Sequence, residues 1–354
     1  MTIIILVTHL LSGGTERTAS YLSDEFVKSG NNVTVLLTTG QIFYDLNPSV
    51  NVVKLGIPNK SANLISRVVN YFKRKKMVNK QIKTIKPDVV FCLHYKLIKY
   101  LKKNQSYVLI SSERNNPKIL KKNDLAEKIK LFKRTNGVVF QTKQVFDFYK
   151  TYCITNGIVI PNAVGNENVF NIKEEKNKKD CVCAVGRLYP QKNYPLLLEA
   201  FAIVSSKHPK LKLEIYGEGI QRDFLLAIIR EHQLENRVYL MGLDKNAIFE
   251  VARSKCYVLC SNYEGMPNAL IEAMAVGAPC VSTDCDFGPR ELIKNGVNGL
   301  LVPVNDVNML AIAIEKMISD ELFASKCGAE AKKILATNSP SLIAKKYLDY
   351  FERF

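Results

Sequence analysis

The strongest constraint on the fold is a pattern that occurs twice in the chain: an apolar strand, a loop and a helix, followed by another strand. The first half begins with a strand at Thr2–Val7 and a helix at 15–28. The second half begins again with a strand at 181–185 and a helix at 195–206. Strands that alternate with helices build a parallel sheet with helices on both faces, so the sequence predicts an α/β protein with two Rossmann-like doubly wound domains. Further strands are predicted at 32–37, 89–93, 107–111, 137–141, 157–160, 212–216, 237–241 and 256–260.

The length of 354 residues fits two domains of roughly 150 to 180 residues each. We expect an N-terminal domain at 1–163, a C-terminal domain at 164–337, and a last helix at 338–354 that packs back on the first domain. The charged run 173–179 reads as a solvated connector. Ligands of open α/β sheets bind at the carboxyl ends of the strands. Two such domains facing each other would therefore place their functional loops in a central cleft.

The formal net charge of +17 indicates an anionic partner. Nucleic acid is disfavoured, because the chain has no Trp and no recognisable nucleic-acid-binding motif. A membrane surface or a phosphorylated substrate fits the charge better. No apolar run approaches the ~20 residues that cross a bilayer, and the opening TIIILV has no basic segment or cleavage site. We therefore expect a cytoplasmic protein.

The nine cysteines are scattered through apolar or mixed segments, which is typical of buried thiols. Cys181 and Cys183 alternate along one predicted strand. The sequence contains no paired CxxC and no Cys/His spacing of the kind that structural zinc sites use. The sequence thus favours a protein without a structural metal.

The segment YEGMPNALIEAMAVGAP places a short helix after the strand at 256–260. Pro267 fits the first helical position, where its missing N–H costs nothing. Gly277 and Pro279 then end the helix. The N-terminus of such a helix carries about half a positive charge, which favours an anionic ligand such as a diphosphate.

Glu264 lies in the turn before this helix, and Glu272 lies a little over one turn inside it. Carboxylates accept hydrogen bonds from paired sugar hydroxyls, so the inner residue can hold a ribose and the outer one a transferred sugar. Taken alone, two glutamates eight residues apart are more typical of a turn residue and a surface or capping residue. Their context decides between these interpretations.

In that context the chain resembles the GT-B, family 4 retaining glycosyltransferases over nearly its whole length. Glu264 and Glu272 match the E-x7-E motif of that family, with GMPN inside it and EAMAVGAP after it. The segments VGRLYPQKN, YGEGIQRD and DFGPRELIKNGVNGLLVP also match in order and spacing. The resemblance implies the GT-B fold, in which two Rossmann-like domains face a central cleft.

Carried onto the matching positions, the resemblance implies that Arg187 and Lys192 bind the donor diphosphate and replace a divalent cation, so that no metal or other cofactor is needed. Glu264 is then expected to contact the transferred sugar, and Glu272 the ribose. We assign catalytic roles to Glu264, Arg187 and Lys192. The other expected substrate-binding residues in the matching motifs are Gly13, Gly14, Gly265, Met266, Pro267, Asn268 and Glu272.

One position departs from the family. Many members carry a histidine in the loop where this chain has Arg114, which we include among the expected substrate-binding residues. Arg114 is expected to add positive charge to the cleft but cannot act as a neutral base. His9 and His94 lie near strand ends and are possible cleft residues, although a structural role fits each of them better. Asp284 and Asp286 form a D-x-D spacing that binds manganese in another glycosyltransferase fold. We discount it here, because the diphosphate already has cationic partners.

Basic residues concentrate in the first half, and at 64–82 they share a predicted helix with apolar residues at helical spacing. A helix of this kind can lie on an anionic membrane surface, and a solvated basic face has the same pattern. Its position loosely resembles that of a helix in bacterial N-acetylgalactosaminyltransferases that grips the diphosphate of a polyprenyl-linked glycan. We predict that Arg67, Arg74 and Lys75 contact such a diphosphate or lipid headgroups.

The predicted function is the transfer of a hexose or N-acetylhexosamine from a nucleotide-sugar, most simply a UDP-sugar, to a lipid-linked oligosaccharide during bacterial surface polysaccharide assembly. The protein is then expected at the inner face of the plasma membrane. A soluble acceptor or a GDP-sugar donor is the alternative within catalysis. A catalytically silent sugar-nucleotide-binding protein is the alternative outside it, together with a basic nucleic-acid binder.

Overall fold

The computed structural model describes residues 1–11, 13–58, 63–103, 105–165, 167–172 and 178–354. The chain forms two compact units, Met1–Gly165 together with Pro340–Phe354, and Asn166–Ser339. The boundaries lie two residues beyond those of the predicted domains. Most of the predicted connector, 173–177, lies outside the described residues, and so does Ser12 of the glycine-containing loop.

The described part of the first unit contains a seven-stranded parallel sheet in the order β3-β2-β1-β4-β5-β6-β7. A sheet covered by helices on both faces is buried from both sides, which is why its strands read as continuous apolar runs. The strands are β1 Thr2–Val7, β2 Asn32–Leu37, β3 Asn51–Lys54, β4 Val89–Cys92, β5 Val108–Glu113, β6 Gly137–Phe140 and β7 Gly157–Val159. The helices are α1 Gly14–Lys28, α2 Leu64–Ile85, α3 Lys122–Phe132 and α4 Lys143–Lys150.

The second unit contains, in its described part, a six-stranded parallel sheet in the order β10-β9-β8-β11-β12-β13. Residues of β8, β9 and β11 pack with α5 and α10 in its apolar core. The strands are β8 Lys179–Val185, β9 Lys212–Tyr216, β10 Val238–Gly242, β11 Ser254–Leu259, β12 Cys280–Thr283 and β13 Leu300–Val302. The helices are α5 Tyr194–Lys207, α6 Arg222–Glu231, α7 Ala247–Arg253, α8 Asn268–Ala275, α9 Pro289–Leu292, α10 Val307–Ser319, α11 Glu321–Lys332 and α12 Ile334–Thr337.

The last helix, α13 Pro340–Phe351, packs against the first unit. The ring of Phe351 lies 5.8 Å from that of Phe26 and 5.6 Å from that of Phe91. The Tyr350 hydroxyl donates to the carbonyl oxygen of Asn156 at 2.7 Å. Gly137 allows this approach, since a Cβ there would lie 2.2 Å from the Tyr350 oxygen.

Three short strands, β3, β12 and β13, are absent from the strands that the sequence predicts. β3 and β13 are edge strands of four and three residues, and neither is buried along its whole length. The fully buried β12 has only four residues. The sequences of β3 (NVVK) and β12 (CVST) include polar residues, whereas the equally short β4 (VVFC) and β6 (GVVF) are apolar runs and were predicted.

A buried ion pair closes the carboxyl end of β5. Lys128 Nζ lies 2.6 Å from Glu113 Oε2, and the two side chains are 1% and 2% exposed. The Tyr149 hydroxyl donates to the same oxygen at 2.6 Å. Burial, followed by the negative charge of Glu113, raises the pKa of Tyr149 well above its usual range. The other Glu113 oxygen accepts from the backbone N–H groups of Arg114 and Asn115, so this carboxylate also shapes the loop after β5.

We predict that Lys128→Met lowers the free energy of unfolding by about 3–5 kcal/mol, because it leaves the Glu113 carboxylate buried without its cation. Urea unfolding followed by circular dichroism measures this loss. Lys150→Met is the control, since the Lys150–Asp147 pair has both side chains 48% exposed and such pairs contribute about 0–1 kcal/mol. Equal losses in the two variants would contradict the prediction.

Candidate active site

The loops that leave β8, β11 and β12 meet at one edge of the second sheet. These three strands are parallel neighbours, so their carboxyl ends point the same way. The loop after β8 carries Arg187 and Lys192, and the loop after β11 carries Glu264. The fold therefore brings Lys192 and Glu264 together, and it places Arg187 in the same loop as Lys192.

The centre of this edge is an ion pair between the two loops. Lys192 Nζ lies 2.6 Å from Glu264 Oε1, and the side chains are 15% and 8% exposed. The Ser261 hydroxyl donates to the same carboxylate oxygen at 2.7 Å. Gln191 Nε2 lies 3.4 Å from the other oxygen, Oε2. Three donors thus hold the Glu264 carboxylate in one orientation and leave Oε2 the less occupied oxygen.

Further hydrogen bonds fix the turn that carries Glu264. The N–H of Asn262 donates to the carbonyl of Gln191 at 2.8 Å, which ties the turn to the loop after β8. On the other side, the carbonyl of Ser261 accepts from the Thr283 hydroxyl at 2.7 Å and from the Cys285 thiol at 3.0 Å. The turn is therefore clamped from both neighbouring strands.

Two glycines permit the close approach of these loops. Gly288 has φ +91°, and a Cβ there would lie 2.2 Å from the carbonyl oxygen of Gly265. Gly217 has φ +148°, and a Cβ there would lie 2.0 Å from the carbonyl oxygen of Gly186. A side chain at either position would force the backbone of the site apart.

Helix α8 begins at Asn268, directly after the turn. The sequence predicted Pro267 as the first helical residue, but in the structure Pro267 is the N-cap. The helix ends at the predicted place, because Gly277 adopts φ +72°. Glu272 is 7% exposed, so its interpretation as a surface residue is wrong. Met266 is buried as well.

Arg187 lies at the exposed rim of this edge. Its guanidinium carbon is 5.3 Å from the ring centroid of Tyr189. Asp284 of the D-x-D spacing already has a cationic partner. Both its carboxylate oxygens accept hydrogen bonds from the Arg290 guanidinium at 2.9 Å. The planar guanidinium of Arg187 is accessible to an anion, whereas that of Arg290 is bound to a carboxylate.

The glycine loop lies in the first unit. Gly13 is the N-cap of α1 with φ −177°, and Gly14 is the first helical residue. A Cβ on Gly13 would lie 2.3 Å from Glu16 Oε2. The Glu16 carboxylate also lies 3.4 Å from His9 Nδ1. The absence of a side chain at Gly13 therefore leaves room for Glu16.

Arg114 ties three segments of the first unit together. Its guanidinium donates to the Thr18 hydroxyl of α1 at 2.6 Å, to Asn162 Oδ1 after β7, and to the Ser112 hydroxyl at 3.4 Å. These contacts give Arg114 a structural role. Its predicted part in substrate binding stays a prediction.

His94 is half-buried at the end of β4. Burial, followed by the positive charges of Lys128 and Lys96, lowers its pKa to about 4. Its Nδ1 accepts from the N–H of Lys96 at 3.3 Å, and its ring stacks on Tyr95. The imidazole is therefore neutral at pH 7, and it caps the following turn.

The three cations predicted to contact a diphosphate from α2 differ in their exposure to solvent. Arg67 is exposed and Lys75 is half-buried. Arg74 is only 8% exposed, and its guanidinium donates to the carbonyl oxygens of Ile57 and Pro58. Arg74 thus holds the fold together instead of presenting its charge to a headgroup, because buried carbonyls need donors.

Residues 165–334, most of the second unit, match the family of glycosyl transferases group 1. The chain carries a group 1 glycosyltransferase domain. Arg187, Lys192, Glu264 and Glu272 all lie within the matched residues. The prediction of a glycosyltransferase is thereby confirmed for this domain, and so is the family resemblance drawn from its motifs.

The sequence similarity to relatives of this glycosyltransferase domain extends into the first unit. The amylovoran biosynthesis glycosyltransferase AmsD of Erwinia amylovora is 28% identical over 352 residues, which are 96% of this chain and 95% of AmsD. The N-acetylgalactosamine-N,N'-diacetylbacillosaminyl-diphospho-undecaprenol 4-alpha-N-acetylgalactosaminyltransferase of Campylobacter jejuni is 34% identical over 54% of this chain. The chain spans only 66%, 44% and 52% of the length of three curated relatives, the last of them the Campylobacter enzyme.

Among solved structures, a glycine-to-arginine mutant of S. aureus TarM in complex with fondaparinux, alpha-GlcNAc-glycerol and UDP has a TM-score of 0.84. The two sequences are 17% identical, and the superposition covers 99% of this chain and 100% of the TarM chain. This similarity establishes the fold. The predicted GT-B architecture of two Rossmann-like α/β domains is confirmed.

Three hydrogen-bonding residues of the candidate active site were not predicted from the sequence. Ser261 and Gln191 hold the Glu264 carboxylate, and Thr283 holds the turn. Gln191 stands beside Lys192 in the loop GRLYPQKN, so its position near the site could have been read from that motif. Thr283 ends a strand that the sequence did not reveal, and it gave no such signal.

We predict that Gly288→Ala destabilises the domain by more than about 3 kcal/mol, because it combines a positive φ with a clash against the Gly265 carbonyl. Gly296→Ala is the matched control, since φ there is +77° and no atom lies within 4 Å of the added Cβ. It should cost about 1–2 kcal/mol, the strain of the left-handed backbone alone. Equal midpoints of urea unfolding for the two variants would exclude the proposed close approach.

Proposed function

We propose that the protein is a retaining glycosyltransferase that moves a hexose or N-acetylhexosamine from a UDP-sugar to a lipid-linked glycan. The observation that carries this proposal is the Lys192–Glu264 pair, which Ser261 and Gln191 hold in place. The exposed Arg187 lies in the same loop as Lys192. Together these residues present a fixed carboxylate oxygen for a sugar and two cations for a diphosphate.

The donor end of the proposal is supported by charge. Arg187 offers a planar fork for two phosphate oxygens, and Lys192 has N–H groups left after it donates to Glu264. The N-terminus of α8 adds about half a positive charge next to them. The TarM structure contains UDP, which favours a UDP-sugar over a GDP-sugar. With these cations we propose transfer without a metal ion.

The two carboxylates then have separate tasks. Glu264 Oε1 is occupied by Lys192 and Ser261, so Oε2 is the oxygen that accepts from a hydroxyl of the transferred sugar. Glu272, buried inside α8, is assigned to the ribose. The buried position of Glu272 limits it to a ligand that reaches into this edge of the sheet.

The chemistry that we propose is a front-face substitution. The bond from the anomeric carbon to the diphosphate oxygen breaks, and the acceptor oxygen bonds to the same face. The acceptor proton passes to the departing phosphate oxygen. Glu264 is poorly suited to act as a nucleophile, because Lys192 and two neutral donors already bind its charge.

The proposed acceptor end rests on α2. Its exposed apolar side chains lie beside exposed cations, a combination that suits an anionic membrane surface. The name of the Campylobacter relative includes diphospho-undecaprenol, which supports a polyprenyl-diphosphate-linked acceptor. In the described part of the chain, no helix is long and apolar enough to cross a bilayer. The exposed apolar residues are Leu64, Ile65, Val68, Val69 and Phe72, and the exposed cations include Arg67, Lys73 and Lys76.

We predict that Glu272→Ala raises the Kd for UDP at least about tenfold, and that Glu264→Gln lowers kcat by about 100-fold or more while changing that Kd little. Isothermal titration and a radiolabelled UDP-sugar transfer assay, both in EDTA, measure these changes. Glu199→Gln, at an exposed position on α5, is the control and should keep both values.

Full turnover in both site variants would sink the assignment of the two glutamates. If the wild type loses turnover in EDTA and regains it with Mn²⁺, metal independence is wrong. If UDP binds as expected and no sugar donor is hydrolysed or transferred, the protein is the catalytically silent binder.

For the membrane proposal, reversing Arg67, Lys73 and Lys76 to Glu should weaken binding to phosphatidylglycerol vesicles by more than about 100-fold, since each basic residue near an anionic surface contributes about 1 kcal/mol. Phe72→Ser should weaken it as well, through lost apolar burial. Vesicle co-sedimentation measures both effects. Leu322→Ser removes a side chain that is 69% exposed on α11 and serves as the control. Unchanged binding of the triple variant would favour the solvated basic face and a soluble acceptor.

A further inference from the structure

Two cysteines and a glutamate form a cluster inside the second unit that the transfer chemistry does not use. Cys181 and Cys183 alternate along β8 and therefore point to the same face of the sheet. Glu214 on the neighbouring strand β9 is paired with Cys183 in the parallel register. Cys181 is 3% exposed and Cys183 is 0% exposed, whereas Glu214 is half-buried.

The spacing of the ligand atoms suits one small cation. The two sulfur atoms are 3.8 Å apart. With Zn–S bonds of about 2.3 Å and tetrahedral angles, two thiolates on one zinc ion lie about 3.8 Å apart. A disulfide would need them at about 2.05 Å. The sulfurs and a Glu214 carboxylate oxygen all lie within 4.8 Å of one another.

The carboxylate of the cluster is already oriented by a second residue. The hydroxyl of Tyr216, two residues further along β9, donates to Glu214 Oε2 at 2.6 Å. Tyr216 is itself 3% exposed. Carboxylates that bind metal ions are generally held by a hydrogen bond of this kind, which leaves the other oxygen to the metal.

We propose that Cys181, Cys183 and Glu214 bind a thiophilic divalent cation of the Zn²⁺ class, with water as the fourth ligand. Both thiols give their protons to solvent as the metal–sulfur bonds form, so two thiolates and one carboxylate surround the ion. The sequence had indicated no such site, because it separates Glu214 from the cysteines by about thirty residues and shows no zinc spacing. The ion would join β8 to β9 and stabilise the domain, whether or not the protein transfers sugars.

Cobalt substitution tests this site on the full chain after reduction and removal of metals by a chelator. Co²⁺ should bind one per chain with a near-ultraviolet thiolate-to-cobalt band and visible bands of tetrahedral intensity, and Zn²⁺ should displace it. Cys181→Ser and Cys183→Ser should abolish the band. Cys153→Ser, which changes an exposed thiol in the first unit, should leave it unchanged.

Tyr216→Phe separates a metal site from a merely buried cluster. It removes one hydroxyl and should weaken Co²⁺ affinity about 10–100-fold through the loosened carboxylate. Tyr239→Phe is the matched control, because its hydroxyl donates to the carbonyl of Asn236 at an exposed position. Glu214→Gln should weaken binding further and remove the rise in Tm that Zn²⁺ gives the wild type. These two variants carry the test if the cysteine variants fail to fold.

Absence of the cobalt band in the reduced wild type would overturn the proposal. So would a band that survives in the Cys181→Ser, Cys183→Ser double variant. Mass spectrometry that finds a Cys181–Cys183 disulfide in a chain that takes up no Co²⁺ or Zn²⁺ would replace the metal site with a redox pair.

Discussion

The candidate active site depends on the carboxylate of Glu264, because this carboxylate links the loop after β8 to the loop after β11. Lys192 reaches it from the loop after β8, and Ser261 reaches it from the same turn as Glu264 itself. A mostly buried ion pair keeps its geometry, because moving one partner away would leave the other as an unpaired buried charge. The pair therefore joins the two loops at this edge, together with the hydrogen bond from the Asn262 N–H to the Gln191 carbonyl.

The parallel sheet makes this pairing possible. Because β8 and β11 are neighbours with the same direction, residues about 70 positions apart meet at their carboxyl ends. The loops approach so closely that only glycine fits at Gly217 and Gly288. The same arrangement in the first unit brings Arg114 to the ends of α1 and β7, where hydrogen bonds take up its charge. In both units, the shared direction of parallel strands thus brings polar residues from distant parts of the chain together. In the second unit an arginine, Arg187, stays exposed, whereas in the first unit Arg114 is hydrogen-bonded.

Much of this could be predicted from the sequence, and the misses have physical causes. The strand Thr2–Val7 was predicted at its observed bounds, because its sequence TIIILV is a nearly continuous apolar run in a sheet that is buried on both faces. The short strand Cys280–Thr283 was missed, and the clamp by Thr283 was missed with it. Glu264 and Lys192 were found through their motifs. Their direct pairing was not, because a motif gives the ligand-binding role of a residue and says little about its partners before a ligand arrives.

The cations make the same point about charge. A formal charge of +17 suggests a surface that binds anions. Three of the cations, however, bond to acceptors inside the first unit: Arg74 to backbone carbonyls, Arg114 to the Asn162 amide oxygen and Lys128 to the Glu113 carboxylate. An arginine fork satisfies several buried acceptors at once, so a basic residue in a polar junction replaces many weaker donors. The charge available to a partner is therefore that of the exposed residues. On α2 these include Arg67, Lys73 and Lys76, which lie beside the exposed apolar side chains. Their position, rather than the net charge, is what favours a membrane surface over a dispersed polyanion.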